Sequence, residues 1–389
     1  MAVQTAERER ASLLRRARTV DRADGPWLEI DSKRLLSFCS NDYLGLAQHP
    51  QLLAALQRAA SACGVGSTSA HLICGHRAEH AELEEALAAW TGRERALLFS
   101  TGYMANLGVM QALLTRGDVC VQDKLNHACL IDGARLSGAE LKRYPHSDVD
   151  AAARQLGSND RAATLLATDG VFSMDGDVAP LRELAALCAR AGAGAGATLM
   201  VDDAHGFGVL GHSGAGSLEA AALDAREAPV LMATLGKALG CAGAFVAGSH
   251  ALIEGLTQFA RPYIYTTTMP PALAAAALVA TQLAQTDSWR REKLNALIAR
   301  FRQGAAQLGL TLSSSHTAIQ PIVLGDAQAA LDAAHALEQR GLLVTAIRPP
   351  TVPVASARLR ITLSAAHEET HVDQLLDALE ALRLPPSPG

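Results

Sequence analysis

The stretch Thr234-Leu235-Gly236-Lys237-Ala238-Leu239-Gly240 sets one lysine between two glycines, directly after the apolar run Pro229-Val230-Leu231-Met232-Ala233. The run reads as a buried strand, and the lysine as a cation delivered at its end. Lysine is strongly hydrated and seldom fully buried. In this position it is either an ordinary loop residue with its ammonium turned to water, or it has covalent work as a Schiff base. An amine becomes nucleophilic near neutral pH when desolvation or a neighbouring cation lowers its pKa, and Gly236 and Gly240 leave room for a bulky group to approach the backbone.

A second apolar strand, Thr198-Leu199-Met200-Val201-Asp202, runs into Asp203-Ala204-His205-Gly206. A carboxylate that closes an apolar strand is well placed to pair with a buried cation. The protonated ring nitrogen of pyridoxal phosphate is such a cation, and an Asp partner keeps it protonated so that the ring acts as an electron sink. Asp202 is the candidate for that partner, and His205 for a donor near the lysine's imine. Taken singly, these residues also fit a capping Asp and a core His; beside Lys237 the functional reading is favoured.

Around these strands the chain reads as α/β. Helical and apolar segments alternate from Ala78 onward: helices at 78–90, 105–114, 128–136, 148–156 and 181–190, and strands at 96–99, 119–122, 141–144, 163–168, 198–202, 230–234 and 244–247. Short strands rich in Val, Leu and Ala, mostly separated by helices, predict a largely parallel seven-stranded sheet covered on both faces. Ligands of such sheets sit outside the carboxyl ends of the strands, where Asp202 and Lys237 fall. Upstream, residues 1–24 read as a charged amphipathic helix and 27–38 as a hairpin, with a helix from Pro50 to Gly64 and a Gly- and Ser-rich loop at 64–75. Past Pro270-Pro271 come long Ala/Leu helices at 272–285 and 288–308, shorter strands at 319–323, 342–345 and 358–362, a helix at 327–340 and a terminal helix. The expected domains are an N-terminal segment 1–47, a large domain 48–285 and a smaller C-terminal α/β domain 286–389.

Composition narrows the function. A length of 389 residues suits a two-domain enzyme, and 49% hydrophobic but only 4% aromatic content means a core of Ala, Leu and Val. A net charge of -5 leaves no footprint for nucleic acid. Seven scattered cysteines without a Cys-x-x-Cys pair suggest reduced thiols rather than a zinc ribbon or disulfide framework. No apolar run approaches membrane-spanning length, so a cytoplasmic protein is expected. Two rival motifs fail on context. Gly206-Phe207-Gly208-Val209-Leu210-Gly211 matches a dinucleotide fingerprint, yet His212-Ser213-Gly214-Ala215-Gly216 continues as loop where an NAD-binding dehydrogenase needs a helix. His76-Arg77-Ala78-Glu79-His80 matches the H-x-x-E-H pattern of a zinc protease, but it lies at a helix entrance with no identifiable third ligand, and no metal is expected.

In chain order, Ser40-Asn41-Asp42-Tyr43-Leu44-Gly45, Gly170-Val171-Phe172-Ser173-Met174-Asp175-Gly176-Asp177, Val201-Asp202-Asp203-Ala204-His205-Gly206, Thr234-Leu235-Gly236-Lys237 and Ala346-Ile347-Arg348-Pro349-Pro350-Thr351 resemble the motifs of the α-oxoamine synthases, a family of fold-type-I pyridoxal-phosphate enzymes. Each motif is weak alone; five in register over nearly the whole chain are specific to the family. Ile347-Arg348-Pro349-Pro350-Thr351-Val352-Pro353 points to its biotin-pathway branch. The loop Gly66-Ser67-Thr68-Ser69-Ala70-His71 is bulkier than the family's Gly- and Ser-rich version, a departure that bears on acyl-group selectivity.

The resemblance implies a fold-type-I transferase that condenses L-alanine with pimeloyl-CoA or pimeloyl carrier protein, with loss of CO2, as a homodimer with shared active sites; glycine or serine with another acyl-CoA is the alternative within the family. It implies that Lys237 binds pyridoxal 5'-phosphate and serves as general base, that Asp202 pairs with the ring nitrogen, that His127 stacks over the ring, and that Ser173 and His205 hydrogen-bond its phenolic oxygen. The phosphate is implied to rest on the backbone N–H groups of Gly102 and Tyr103 with the Thr234 hydroxyl, while Thr266 and Thr267 reach the phosphate of the partner subunit. Arg348 is implied to fork onto the alanine carboxylate with Asn41 assisting and Thr351 as a further substrate contact. Arg15, Arg16 and Arg360 are candidates for the far carboxylate.

Overall fold

The computed structural model describes residues 1–157, 163–191 and 197–384. Its strands are β1 (Arg22–Asp24), β2 (Trp27–Ile30), β3 (Lys33–Ser37), β4 (Arg95–Phe99), β5 (Val119–Asp123), β6 (Glu140–Tyr144), β7 (Thr164–Asp169), β8 (Ala197–Asp202), β9 (Val230–Thr234), β10 (Ala244–Gly248), β11 (Ile319–Gly325), β12 (Leu342–Leu343), β13 (Thr345–Ile347) and β14 (Ala357–Thr362). Its helices are α1 (Ala2–Arg10), α2 (Pro50–Cys63), α3 (Ala78–Trp90), α4 (Gly102–Leu113), α5 (Ala128–Ser137), α6 (Val149–Leu156), α7 (Leu181–Arg190), α8 (Ser217–Ala220), α9 (His250–Phe259), α10 (Arg261–Ile264), α11 (Pro271–Thr286), α12 (Ser288–Gln307), α13 (Ala327–Glu338) and α14 (Glu369–Leu382). Two compact units result: Leu46–Phe172 with Val178–Ser288, and Met1–Gly45 with Ser173–Asp177 and Trp289–Gly389.

The larger unit is built on a seven-stranded sheet in the order β4-β10-β9-β8-β7-β5-β6. The expected mostly parallel sheet is present: β9, β8, β7, β5 and β6 run parallel, and β10 lies antiparallel between β4 and β9. Alternate residues serve opposite faces, as the pleat requires. Leu165, Ala167, Met200, Val230 and Met232 join one apolar cluster, while Leu166, Leu199, Val201 and Leu231 join the other. Burial on both faces explains the near-continuous apolar runs. The runs stop at Asp123, Asp169, Asp202 and Thr234, all at carboxyl ends of parallel strands.

Local chemistry explains the element ends. Pro50 occupies the first turn of α2, the His49 ring accepts from Gln51 N at 3.3 Å, and Gly64 ends the helix at φ 81°. Helices α8, α9 and α10 were not anticipated; α9 follows a Ser249 cap whose hydroxyl accepts from Leu252 N at 3.2 Å. The 64–75 loop contains one π-helical turn, His71–Gly75.

In the smaller unit the order β1-β2-β3-β12 forms one sheet and β11-β14-β13 another. Residues 1–47 thus contribute three strands to a sheet that β12 completes in parallel with β3. The expected helix over 1–24 stops at Arg10. The chain turns left-handed at Ser12 (φ 57°), whose hydroxyl donates to Gln328 Oε1 at 2.8 Å and whose carbonyl accepts from Arg348. Tertiary bonds here outweigh helix propensity. The single strand expected at 342–345 divides at buried Val344 into β12 and β13, which join different sheets.

His367, 2% exposed, braces this unit: Nδ1 accepts from Ser364 N at 3.0 Å, Nε2 donates to Ser37 O at 2.9 Å, and the ring stacks on Phe38. Burial pushes its pKa down to about 4. A histidine depressed on folding stabilises fully above its unfolded pKa near 6.5, and that stability is lost as pH falls toward the folded value. About 2 kcal/mol should therefore disappear between pH 7 and pH 5 through this group. Urea unfolding of wild type and His367→Gln at both pH values checks this; an equal pH dependence in the two would remove His367 from the account.

Candidate active site

Lys237 follows β9 in a turn closed by backbone bonds from Leu235 N to Gly243 O, Cys241 N to Leu235 O and Gly240 N to Lys237 O, each 2.9 Å. Leu235, Ala238 and Leu239 are buried and pin the turn. Gly240 is required: its φ is 65°, and a Cβ there would lie 2.3 Å from Ala47 N. The lysine itself stays half-buried, with Nζ 2.8 Å from His205 Nε2. With Lys237 as donor, His205 accepts on Nε2 and carries its ring proton on Nδ1. His205 lies on the turn after β8, which Asp203 anchors: its backbone carbonyl accepts from Gly206 N and Phe207 N, and its carboxylate from Ser217 N at 2.7 Å. Burial pushes the Asp203 carboxyl up to about 7, and a Cβ on Gly206 or Gly216 would strike its oxygens. Asp203 is thus walled in as a structural group.

Asp202, one residue earlier, has the opposite outlook. Its Oδ1 accepts from Ala204 N at 3.0 Å and its Oδ2 from Asn106 Nδ2 at 2.7 Å. His127, the N-cap of α5, takes the backbone N–H of Cys129 on Nδ1 at 3.3 Å, while its own N–H donates to Asp169 Oδ2 at 2.7 Å. The cap holds the imidazole in a defined direction. Burial lowers the His127 pKa, Asp202 opposing and Lys237 assisting that shift, so the ring is neutral at pH 7. Asp169 ends β7 in register with Asp202, and burial, then Asp202, raise its pKa well above the usual carboxylate range.

Helix α4 starts nearby in the same unit, capped by Thr101, whose hydroxyl accepts from Met104 N at 3.2 Å. The first-turn N–H groups of Gly102 and Tyr103 have no intrahelical acceptor, as at any helix start, and are available to an anion. The Thr234 hydroxyl donates to Gly243 O at 2.9 Å and accepts from Gly236 N at 3.2 Å, so here it holds the lysine turn together. Thr267 pairs with Ala70 in an isolated bridge, and Thr266 precedes it on the same surface strip. This donor set fits pyridoxal phosphate: an amine beside an imidazole, a buried carboxylate for a ring N–H, an imidazole face and an open helix start for phosphate.

In the smaller unit, Arg348, Arg15 and Thr351 line a cleft of about 300 Å³ with Leu13 and Arg16. Arg15 donates to Thr351 Oγ1 at 2.7 Å, and Arg348 to the carbonyls of Ser12 and Leu14. Burial and the Arg15 cation both depress the Arg348 pKa. Arg360 spends its fork within the unit, on Ser173 O at 2.7 Å, Thr362 Oγ1 at 2.9 Å and Asn41 Oδ1 at 3.2 Å. Arg16 is exposed against Glu9.

Asn106 and Asp169 escaped the sequence reading. Asp169 closes an apolar strand as Asp202 does, so the same signal was present. Asn106 is a fully buried polar residue inside a mostly apolar helix, a signal only in that buried amides need partners. In the zinc-protease pattern His80 uses both ring nitrogens, on Arg77 N and Met269 O, and among the described residues no group of three or more His, Cys, Asp or Glu is arranged to hold a metal ion. The glycines of the dinucleotide pattern serve packing, Gly206 against Asp203 and Gly211 against Glu219.

The aminotransferase class I and II family model matches residues 33–379. A relative from Cellvibrio japonicus, an 8-amino-7-oxononanoate synthase, is 56% identical over 97% of this chain and 94% of its own length. Among solved structures, serine palmitoyltransferase from S. paucimobilis with PLP and myriocin bound superposes with a TM-score of 0.92 at 29% identity, covering 98% of this chain and 96% of that one. An 8-amino-7-oxononanoate synthase from Francisella tularensis gives 0.78 at 31% identity, covering 90% and 97%. Among the described residues, no helix is long and apolar enough to cross a membrane.

Proposed function

Because the chain belongs to the class I and II aminotransferase family, we propose that it uses pyridoxal phosphate to condense L-alanine with a pimeloyl thioester, giving 8-amino-7-oxononanoate, CO2 and free thiol in biotin biosynthesis. The observation that carries this reading is the Lys237 amine 2.8 Å from His205, in the turn that follows β9, the strand next to the one that ends in Asp202. When bound, pyridoxal phosphate supplies an electron sink for the pair left on the α-carbon of the amino acid.

The chain's own residues supply the rest. Lys237 would hold the cofactor covalently, and once the alanine amine displaces it the freed Nζ would accept the α-proton and return a proton to the product carbon. Asp202 keeps the ring nitrogen protonated. His127 lies against the ring, and His205 and Ser173 donate toward its phenolic oxygen. Gly102 and Tyr103 N–H groups bind the phosphate. Arg348 grips the alanine carboxylate with Asn41, and Arg15 and Thr351 are the contacts for the far carboxylate of the acyl chain. Arg360, whose donors are engaged within its unit, acts as a brace for Asn41 and Ser173.

A cytoplasmic homodimer completes the proposal. Val65, Leu72, Ile73, Phe259 and Tyr265 are exposed large apolar side chains, several flanking the Ala70–Thr267 bridge, and such surface on a soluble protein marks an interaction face. A second copy covering it would bring Thr266 and Thr267 to the partner's phosphate.

Incubating the purified protein with alanine, glycine or serine and a panel of acyl thioesters, with mass spectrometry of the products, tests the reaction. The mass of 8-amino-7-oxononanoate from alanine and pimeloyl-CoA or pimeloyl carrier protein is expected; preference for glycine or serine with another thioester would overturn the substrate assignment. Arg348→Lys should weaken alanine and glycine together, by about 10- to 100-fold, because it removes a shared bidentate clamp. Titrating the visible band with each amino acid decides. Loss of alanine affinity alone would mean that Arg348 shapes the methyl pocket.

A further inference from the structure

We propose that Asn106 and Cys129 are positioning residues that tie Asp202 and His127 into one hydrogen-bonded frame, so that the partner of the cofactor's ring nitrogen and the imidazole against its face are set together. The proposal rests on the reading that these two residues contact pyridoxal phosphate.

The chain of contacts is short and every link has a donor. Asn106 Nδ2 lies 2.7 Å from Asp202 Oδ2 and 3.0 Å from Cys129 Sγ, and Cys129 Sγ lies 2.8 Å from His127 Nδ1. An amide nitrogen has two protons, one for each of its neighbours. The thiol accepts one and passes its own S–H to His127 Nδ1, which also takes the Cys129 backbone N–H at 3.3 Å. Burial and the nearby Asp202 raise the Cys129 pKa, so the S–H is retained as a donor. With Nδ1 occupied as an acceptor, the His127 ring proton is fixed on Nε2.

The amide's orientation supports the assignment. Turned over, Asn106 would set its carbonyl oxygen against the Asp202 carboxylate, two acceptors with no proton between them. In the observed orientation Asn106 Oδ1 is buried with no partner among the described residues. A buried carbonyl oxygen left unpaired costs stability, yet the residue is fully buried and keeps both donors on the site. Packing alone would be served as well by leucine. Asn106 reaches the chemistry only through Asp202 and Cys129, and so positions without taking part.

The test uses cofactor-loaded protein and the variants Asn106→Leu, Cys129→Ala and Cys129→Ser. Asn106→Leu should keep the parent's melting temperature or raise it, while kcat falls about 10- to 100-fold with KM for alanine within about threefold, and the pH midpoint of the visible band moves by about half a unit or more. Cys129→Ala should move the same midpoint in the same direction with a smaller loss of kcat, and Cys129→Ser, which restores an O–H donor, should return both toward the parent. If Asn106→Leu does not fold, the Cys129 pair decides alone. An unmoved midpoint together with a kcat within about twofold of the parent in the folded variants would overturn the frame. A parent protein that takes up no pyridoxal phosphate would instead overturn the reading beneath it, and the frame with it.

Discussion

Lys237→Ala should abolish covalent capture of pyridoxal phosphate and cut turnover by on the order of 10⁴-fold or more, equivalent to about 5.5 kcal/mol of barrier. The larger unit carries only three lysines, Lys124, Lys142 and Lys237. Lys124 is exposed, and Lys142 sits within β6, an edge strand of the sheet. Lys237 alone lies at a parallel-strand end with an imidazole 2.8 Å from its amine, close enough that its charge bears on His127 and Asp169. On the proposed roles the variant would lose two functions at once, the covalent link and the base that moves the α-proton, so the expected loss exceeds that of a general base by itself. The turn should survive, because Leu235, Ala238 and Leu239 and its three backbone bonds do not involve the side chain. Borohydride reduction followed by peptide mapping is the check. Cofactor found on Lys124 or Lys142 in the parent protein would end the assignment.

What the sequence could reveal of this site follows from where the polar residues stand. Lys237, Asp202 and His205 interrupt or close apolar strands, and a polar residue at such a boundary is visible in one dimension. The parallel sheet was legible for the same reason: a run of four to six Val, Leu and Ala residues has few alternatives once helices flank it. Asp169 carried that signal as plainly as Asp202. Asn106 did not, since its role comes from a sulfur and a carboxylate delivered by other elements, at sequence separations of 23 and 96 residues. The Thr234 hydroxyl shows the converse: its position beside the lysine suggests a ligand contact, while the fold turns its proton onto Gly243 O. The N-terminal segment was misread because charge alternation resembles a helix face, and nothing local reports that Arg348 and Gln328 capture the chain at Ser12.

Asp202→Asn should retain pyridoxal phosphate in near-stoichiometric amount yet lose about 10³-fold or more in turnover, on the order of 4 kcal/mol. Retention is expected because the substitution leaves the proposed phosphate contacts at the start of α4 and the proposed Lys237 link untouched. Loss has two sources that act in the same direction. A neutral amide cannot hold a ring nitrogen protonated, which removes the driving force for breaking the α-C–H bond. The amide also fits badly: both oxygens of Asp202 accept from donors, Ala204 N at 3.0 Å and Asn106 Nδ2 at 2.7 Å, so its NH₂ faces an N–H unless Asn106 turns over and gives up its bond to Cys129. Asp203→Asn supplies the contrast. Its carboxyl is enclosed by Gly206, Gly216 and the Ser217 N–H, and substitution there should lower the melting temperature while leaving the chemistry of the loaded enzyme near normal. The decisive measurement is exchange of the alanine α-proton with deuterated solvent, followed by NMR without any acyl donor. Exchange should vanish in Asp202→Asn and persist in Asp203→Asn. Undiminished exchange in Asp202→Asn would transfer the role to Asp169, its in-register neighbour on β7, and Asp169→Asn would then be the variant that loses it.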